Sequence, residues 1–274
     1  MNVPHSPRHQ WRRLLAVGAA SAVIAFSAFG SVASAASIGG DAKPTIVLVH
    51  GAWANPDGWA QVSRRLHADG YKTAAPKLDL LSISGDAAIV RATLDSIPGK
   101  KILVGHSYGG VVISNASAGR TDVVALVYTA AFVPDEGDTV LGLTAGFNPP
   151  GALPYLVWTG SPYASLAYIA PDHFRAVFAA DLSPEQAGLL NSGQHATNPE
   201  LLVTPSGPVG WHAIPSWYAV SAGDALIDPA LQRWMSNRMG ATTIEFAGAS
   251  HAGGFTVHAG AFTKLIEQAA KATR

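Results

Sequence analysis

Ile102-Leu-Val-Gly-His-Ser-Tyr-Gly-Gly-Val-Val-Ile113 is the stretch on which the reading of this chain turns. Ile102 to Val104 is a short apolar run of the kind that forms a buried strand. Gly110 to Ser117 is small and apolar, and reads as a helix. Between them lies Gly105-His106-Ser107-Tyr108-Gly109, with a glycine two residues before and two after a serine. A glycine-rich turn with an incidental serine could carry the same five letters. The strand before it and the helix after it are the context that makes G-x-S-x-G a sharp elbow, with the serine hydroxyl lifted above the sheet. So tight a turn strains the serine backbone, and Gly105 and Gly109 are expected there because side chains would crowd it. The Tyr108 N–H, at the first turn of the helix, then faces the place where an oxyanion can form.

Strands and helices alternate on both sides of this point. Pro44 to His50 is a continuous, β-branched apolar run suited to a parallel strand buried on both faces. Asn55-Pro56 starts a helix that runs to about His67 and stops at Asp69-Gly70. Tyr71 to Ala75 reads as a second strand, and Ser84 or Asp86 as the start of a helix reaching Ile97. Val123 to Tyr128, Trp217 to Ser221 and Thr242 to Phe246 read as further strands. Asp228-Pro229 opens a helix to about Met239, and Phe255 to Ala270 forms the closing helix. The expectation is an α/β fold: a mostly parallel sheet with helices on both faces. From about 132 to 215 the alternation breaks, and prolines and scattered aromatics replace it. The segment is too long for a plain loop. It reads as an inserted, mainly helical cap, with short helices at Pro171–Ala180 and Pro184–Leu190. A small second domain unrelated to the site is the competing reading.

A serine hydroxyl is a poor nucleophile until a base takes its proton, and that base needs a partner to fix its tautomer. Behind an elbow of this kind the acid and then the histidine follow along the chain, each in a loop after a strand. His251 fits, in the small-residue loop Gly248-Ala-Ser-His-Ala-Gly-Gly254 after the strand Thr242–Phe246. His258, seven residues on, falls within the expected closing helix and reads as a helix-face residue. Two aspartates compete for the acid. Asp224 follows the strand Trp217–Ser221 directly, whereas Asp228 precedes a proline and a helix and carries the signature of an N-cap. Asp224 is the favoured candidate. His50-Gly-Ala-Trp53 follows the first strand, and its Ala52 N–H is the expected second oxyanion donor beside Tyr108. His50 and His106 read as structural hydrogen-bonding residues, and no histidines show metal-type spacing. Trp53, Phe132, Trp158, Phe178 and Trp211 are the aromatic candidates for touching a substrate.

Composition narrows the partners. Formal net charge is +0 and no basic block is present, which argues against nucleic acid. Only 13% of residues are charged, about half the usual share, so uncharged polar groups must cover much of the surface. The first 35 residues read as a cleaved export signal. Arg8, Arg12 and Arg13 form a positive region, Leu14 to Phe29 an apolar one, and Ala33-Ser-Ala35 the cleavage site. An uncleaved anchor is the alternative, disfavoured because the run is short for a span. Once processed, the protein is expected to be periplasmic or secreted, without stable membrane insertion. The chain has no cysteine, so an exported protein of this size must rely on its core alone.

The assembled pieces resemble the α/β-hydrolase superfamily. More narrowly they are similar to its branch of small bacterial carboxylesterases, plant methyl-ester esterases and hydroxynitrile lyases. Val49-His-Gly-Ala-Trp53, Val104-Gly-His-Ser-Tyr-Gly-Gly110, the stretch Asp224 to Gln232 with Trp234, and Gly248-Ala-Ser-His251 carry the likeness. It extends from about residue 44 to 270, and the spacing from acid to Gln232 also favours Asp224. The resemblance implies a Ser107–His251–Asp224 triad, a helical cap, no cofactor and a small-molecule ester substrate. Lyases of that branch carry a lysine directly after the histidine and a threonine at the position of Gly51. This chain has Ala252 and Gly51 there, which favours hydrolysis over cyanohydrin cleavage. Hydrolysis of a lactone, thioester or amide would use the same parts, and a non-catalytic binding protein on this fold is the remaining alternative.

Overall fold

The computed structural model describes residues 42–159 and 165–273, so the expected export signal at 1–35 lies outside the described residues. Six strands form one sheet: β1 (Thr45–Val49), β2 (Thr73–Ala74), β3 (Lys101–His106), β4 (Val123–Thr129), β7 (Ser216–Ser221) and β8 (Thr242–Phe246). Their spatial order is β2-β1-β3-β4-β7-β8, and every neighbouring pair is parallel. The central strand β3 is buried along its whole length, as its unbroken apolar run demands. β2 is shorter than Tyr71–Ala75, and the edge strand β8 is mostly exposed.

The connections are α1 (Ala60–Ala68), α2 (Ile83–Ser96), α3 (Gly109–Ala116), α7 (Pro229–Arg238) and α8 (Ala259–Ala272). Right-handed crossovers fix their sides. The chain moves outward from β1 to β2 and then turns back to β3 and β4. The crossover α1 therefore lies on one face and α2 and α3 on the other. Packing agrees: α1 lies against α8, and α2 against α3. The reversal makes the gap between β1 and β3 a topological switch point, and sheets of this class open their ligand crevice there, at the carboxyl ends of the strands. The loop His50-Gly51-Ala52 and the elbow at Ser107 both emerge at that end.

Helix boundaries depart from expectation in three places. The turn opened by Asn55-Pro56 is a 3-10 helix, Pro56–Trp59, and α1 follows it from Ala60. α2 starts earlier than Ser84 or Asp86, because the Ser82 side chain accepts from the Gly85 N–H and caps it. Asp86 instead turns inward. Its carboxylate, 1% exposed, accepts from the Asp79 and Leu80 N–H groups and from the Tyr108 hydroxyl. α8 starts at Ala259 rather than Phe255; residues 255–258 form turns, and His258 sits at the N-cap with its ring stacked on Phe246.

Between β4 and β7 lies the inserted subdomain. It holds α4 (Val140–Leu143), a two-stranded antiparallel hairpin of β5 (Leu156–Thr159) and β6 (Leu166–Ile169), α5 (Pro171–Phe178) and α6 (Pro184–Ser192). The two helices match the expected pair, and the hairpin is an addition to a cap expected to be mainly helical. Several prolines in the segment are helix starters: Pro171, Pro184 and Pro199 each occupy the first turn of a helix, where the missing N–H costs nothing. Among the described residues no helix is long and apolar enough to cross a membrane.

Candidate active site

The elbow has the geometry its glycines suggested. Ser107 has φ of 55°, the left-handed region that L-residues avoid. A Cβ on Gly105 would lie 2.7 Å from the Gly109 carbonyl oxygen, and one on Gly109 would lie 2.5 Å from that of Val49. Hydrogen bonds hold the strained residue in place. Ser107 N–H donates to the Ala130 carbonyl (3.1 Å), and the Ser107 carbonyl accepts from Gly110 N–H (2.9 Å) and Phe132 N–H (3.1 Å). The switch-point loop presses directly on the serine: a Cβ on Gly51 would sit 2.6 Å from Ser107 Cβ and 3.2 Å from its Oγ.

Asp224 is the aspartate that reaches the histidine. The loops after β7 and β8 are joined by Gly223 N–H donating to the Ala249 carbonyl (2.9 Å). Across that junction His251 Nδ1 lies 2.8 Å from Asp224 Oδ2, and both side chains are buried. The carboxylate is saturated with donors. Oδ1 accepts from Leu226 N–H (2.8 Å) and Ile227 N–H (3.0 Å), and Oδ2 accepts also from Gln232 Nε2 (2.8 Å). Gln232 is itself fixed, because its Oε1 accepts from Ser221 N–H at 3.0 Å. Acceptor-only surroundings of this kind keep the proton on Nδ1 and leave Nε2 free to take another. His251 Nε2 is buried and has no hydrogen-bond partner among the described residues. Asp228 does something else: it caps α7 through Ala230 N–H and accepts from Asn148.

The two expected oxyanion donors differ from their neighbour. Trp53 N–H is committed to Thr197 Oγ1 at 3.0 Å, whereas Ala52 N–H and Tyr108 N–H donate to no protein acceptor among the described residues. The Tyr108 side chain points away into the body, hydrogen-bonded at 2.8 Å to the buried Asp86. Burial pushes the Asp86 carboxyl above its usual range, against the pull of that hydroxyl and of the Leu80 and Asp79 N–H groups.

His50 and His106 are held as neutral structural groups. His50 Nε2 accepts from Leu78 N–H (3.0 Å) and Nδ1–H donates to the Gly51 carbonyl (2.9 Å). Burial lowers its pKa to about 4. His106 Nε2–H donates to the His251 carbonyl at 3.0 Å, and burial, with His251 beside it, holds it well below the usual histidine range.

Beside these residues lies a cavity of about 780 Å³. Its buried wall includes Trp53, Trp59, Phe174, Phe178, Leu182 and Phe255, and the exposed Asp57, Gln186 and Ser192 supply polar groups. Among the described residues no lysine or arginine lines it. Ser107 and His251 are not in its lining and are 3% and 0% exposed; His106 and Phe178 intervene, with ring centroids 4.5 and 4.9 Å from His251. Of the five aromatic candidates for substrate contact, Trp53 and Phe178 line the cavity. Phe132 is buried and outside the cavity lining, and its N–H donates to the Ser107 carbonyl. Trp211 is buried elsewhere, its Nε1–H on the Pro134 carbonyl. Trp158 is 60% exposed on β5. Phe174 and Phe255 were not singled out by sequence; the amphipathic pattern of α5 held the signal for the first. Among the described residues no cluster of His, Cys, Asp or Glu is suited to a metal ion.

Comparison with known proteins agrees with this architecture. The chain is 29% identical over 215 residues to the alpha/beta hydrolase nvfD of Aspergillus novofumigatus, covering 72% of this chain and 84% of that protein. It is 27% identical over 234 residues to methylesterase 8 of Arabidopsis thaliana, covering 76% and 83% of the two chains. The crystal structure of a pyrethroid hydrolase from Sphingobium faniae superposes with a TM-score of 0.72 at 23% identity, over 84% of this chain and 98% of that one. Residues 46–264 match the model of the alpha/beta hydrolase family, and the chain belongs to that family.

Proposed function

We propose that this protein is an exported serine hydrolase that cleaves small, neutral, apolar or aromatic carboxylic esters through an acyl-enzyme. The observation that carries the reading is the His251–Asp224 pair. It leaves a buried imidazole with Nδ1 engaged and Nε2 free, in the loop cluster that also holds a strained serine. Ser107 Oγ attacks the ester carbonyl carbon while its proton passes to His251 Nε2. Ala52 and Tyr108 N–H groups receive the oxyanion. The tetrahedral species collapses, the carbon–alkoxy bond breaks, and the Nε2 proton goes to the leaving alcohol. Water then repeats the sequence on the acyl-enzyme, returning the serine. The Ser107–His251 contact this requires is commonly long in unliganded enzymes and closes on substrate binding.

The neutral, apolar substrate class is supported by the cavity wall, which offers rings and aliphatic groups and, among the described residues, no lysine or arginine for a carboxylate or phosphate. Likeness to a plant methylesterase supports the ester bond. Export rests on the leader: three arginines, an apolar run and Ala33-Ser-Ala35. Mass spectrometry of the exported protein should find Ala36 as its first residue; an intact Met1 in a membrane fraction would overturn that part.

The test of the chemistry is Ser107→Ala against a panel of p-nitrophenyl esters. Turnover should fall by several orders of magnitude with circular dichroism unchanged, and a fluorophosphonate should label the native protein at Ser107. Near-native turnover in the variant would end the reading.

A further inference from the structure

The loop that carries His251 is held from both sides by the inserted subdomain. On one side of the imidazole, the Ser250 N–H donates to Asp181 Oδ2 at 3.0 Å, and the Ser250 hydroxyl donates to the other oxygen of the same carboxylate. On the other side, Ala252 N–H donates to the Phe178 carbonyl at 2.9 Å. Between them the His251 carbonyl is held by His106 Nε2–H. Asp181 lies between α5 and α6, and forms no ion pair among the described residues. Its bonded partner is Ser250, and a Cβ on Gly253 would run into the same carboxylate. Two hydrogen bonds to one carboxylate fix both the position and the rotation of the residue preceding the histidine, and charge-assisted bonds of this kind are the strong ones.

We propose that Asp181 is a positioning residue for His251, acting through Ser250, so that seating of the cap and alignment of the imidazole are one event. This rests on the serine-hydrolase reading above. Among the described residues the imidazole is hydrogen-bonded at Nδ1, to Asp224, and at no other ring atom, and rotation of the ring about that bond would swing Nε2 away from the serine. The backbone on either side of His251 sets where the ring can go, and Asp181 and Phe178 set that backbone. A misplacement of the order of 1 Å at a proton-transferring group costs roughly 100-fold in rate.

The experiment compares Asp181→Ala, Asp181→Asn, Ser250→Ala and the double variant Asp181→Ala/Ser250→Ala on a short p-nitrophenyl ester. Ser183→Ala, which removes the N-cap of α6 without touching the His251 loop, is the stability control. Asp181→Ala should lower kcat by roughly 10–100-fold with KM changed much less, and the rate of fluorophosphonate labelling at Ser107 should fall in parallel. Asp181→Asn, which keeps one acceptor, should fall between it and the native protein. The double variant should be no slower than Asp181→Ala, because both changes break one linkage. Ser183→Ala should lower the melting temperature and leave kcat unchanged. If Asp181→Ala does not fold, Asp181→Asn and Ser250→Ala decide the matter alone. Native kcat in those variants, or losses that multiply in the double variant, would overturn the proposal. Near-native turnover in Ser107→Ala would overturn the hydrolase reading instead, so the two failures are distinct.

Discussion

Ser107 holds its place at the elbow with a left-handed backbone, which costs an L-residue on the order of 1–3 kcal/mol. That strain persists because Ala130, Phe132 and Gly110 hold its N–H and carbonyl, and because three glycines clear the space around it. Gly51 is the informative one. Its substitution by alanine would drive a methyl into Ser107 Cβ, and either the serine or the Ala52 N–H must move. Gly51→Ala should therefore lower kcat by roughly 10²-fold or more, the scale of losing one oxyanion donor, with a modest fall in melting temperature. Ester turnover beside a thermal melt checks this, and full activity would show that the loop is not so close. Asp224→Asn presents an amide to Gln232 and His251, both of which need an acceptor, so it should cut kcat by roughly 10⁴-fold. Asp228→Asn still caps α7 and should stay within about twofold of native. The reverse pattern would reassign the acid. These residues were legible because each sits in a loop directly after a strand, where chain order and local chemistry carry the signal. The bond from Tyr108 to Asp86 was not legible: it joins residues from separate elements, and by sequence Asp86 reads, with Ser84, as one of two candidate helix starts.

The inserted subdomain shows the same limit at the scale of elements. α5 and α6 could be located because Pro171 and Pro184 mark their first turns. The hairpin could not, since β5 is largely exposed and lacks the clean alternation of a half-buried strand. Its anchoring is non-local. Trp53 Nε1–H donates to the Ala167 carbonyl on β6, and Trp53 N–H to the Thr197 hydroxyl, so the first loop of the body is stitched to the cap. Trp53→Phe should keep the ring in the cavity wall and lose one hydrogen bond, lowering stability by about 1 kcal/mol in urea unfolding. If the cavity walled by α5, α6 and Phe255 takes the acyl chain, as proposed, its walls set a limit on chain length. Each methylene that fits contributes roughly 0.8 kcal/mol, and each that does not fit must displace packed side chains. Acetyl to hexanoyl p-nitrophenyl esters should exceed dodecanoyl and longer esters in kcat/KM in a detergent-free series. A rate climbing steadily to palmitoyl esters, with activation at an oil–water interface, would mark a cap that opens wide.

For the whole molecule, the low charge content leaves pH stability in the hands of a few buried groups. His50 and His106 are both buried beside the elbow and both bound as neutral rings. Their folded pKa values lie below the unfolded value of about 6.5, so between the two the unfolded chain binds protons that the folded chain refuses. Stability must then fall as pH drops from about 6.5, and the share due to His50 is complete once pH passes its folded pKa of about 4. A depression of that size corresponds to on the order of 3 kcal/mol for His50 alone. Asp122, held down by Arg120 and Lys101, acts in the same direction in a lower window: its contribution is present above the usual aspartate range and is lost only as pH falls below it. The two effects are therefore separable by titration. His50→Gln offers the cleanest probe, because an amide oxygen can accept from Leu78 N–H while the amide nitrogen donates to the Gly51 carbonyl, and neither titrates. Urea unfolding of the native protein should show a steady loss between pH 6.5 and 4, and the variant should lose less over the same range. Equal slopes in the two proteins would mean that His50 stays neutral in the unfolded chain or is charged in the folded one, and would shift the acid sensitivity to His106.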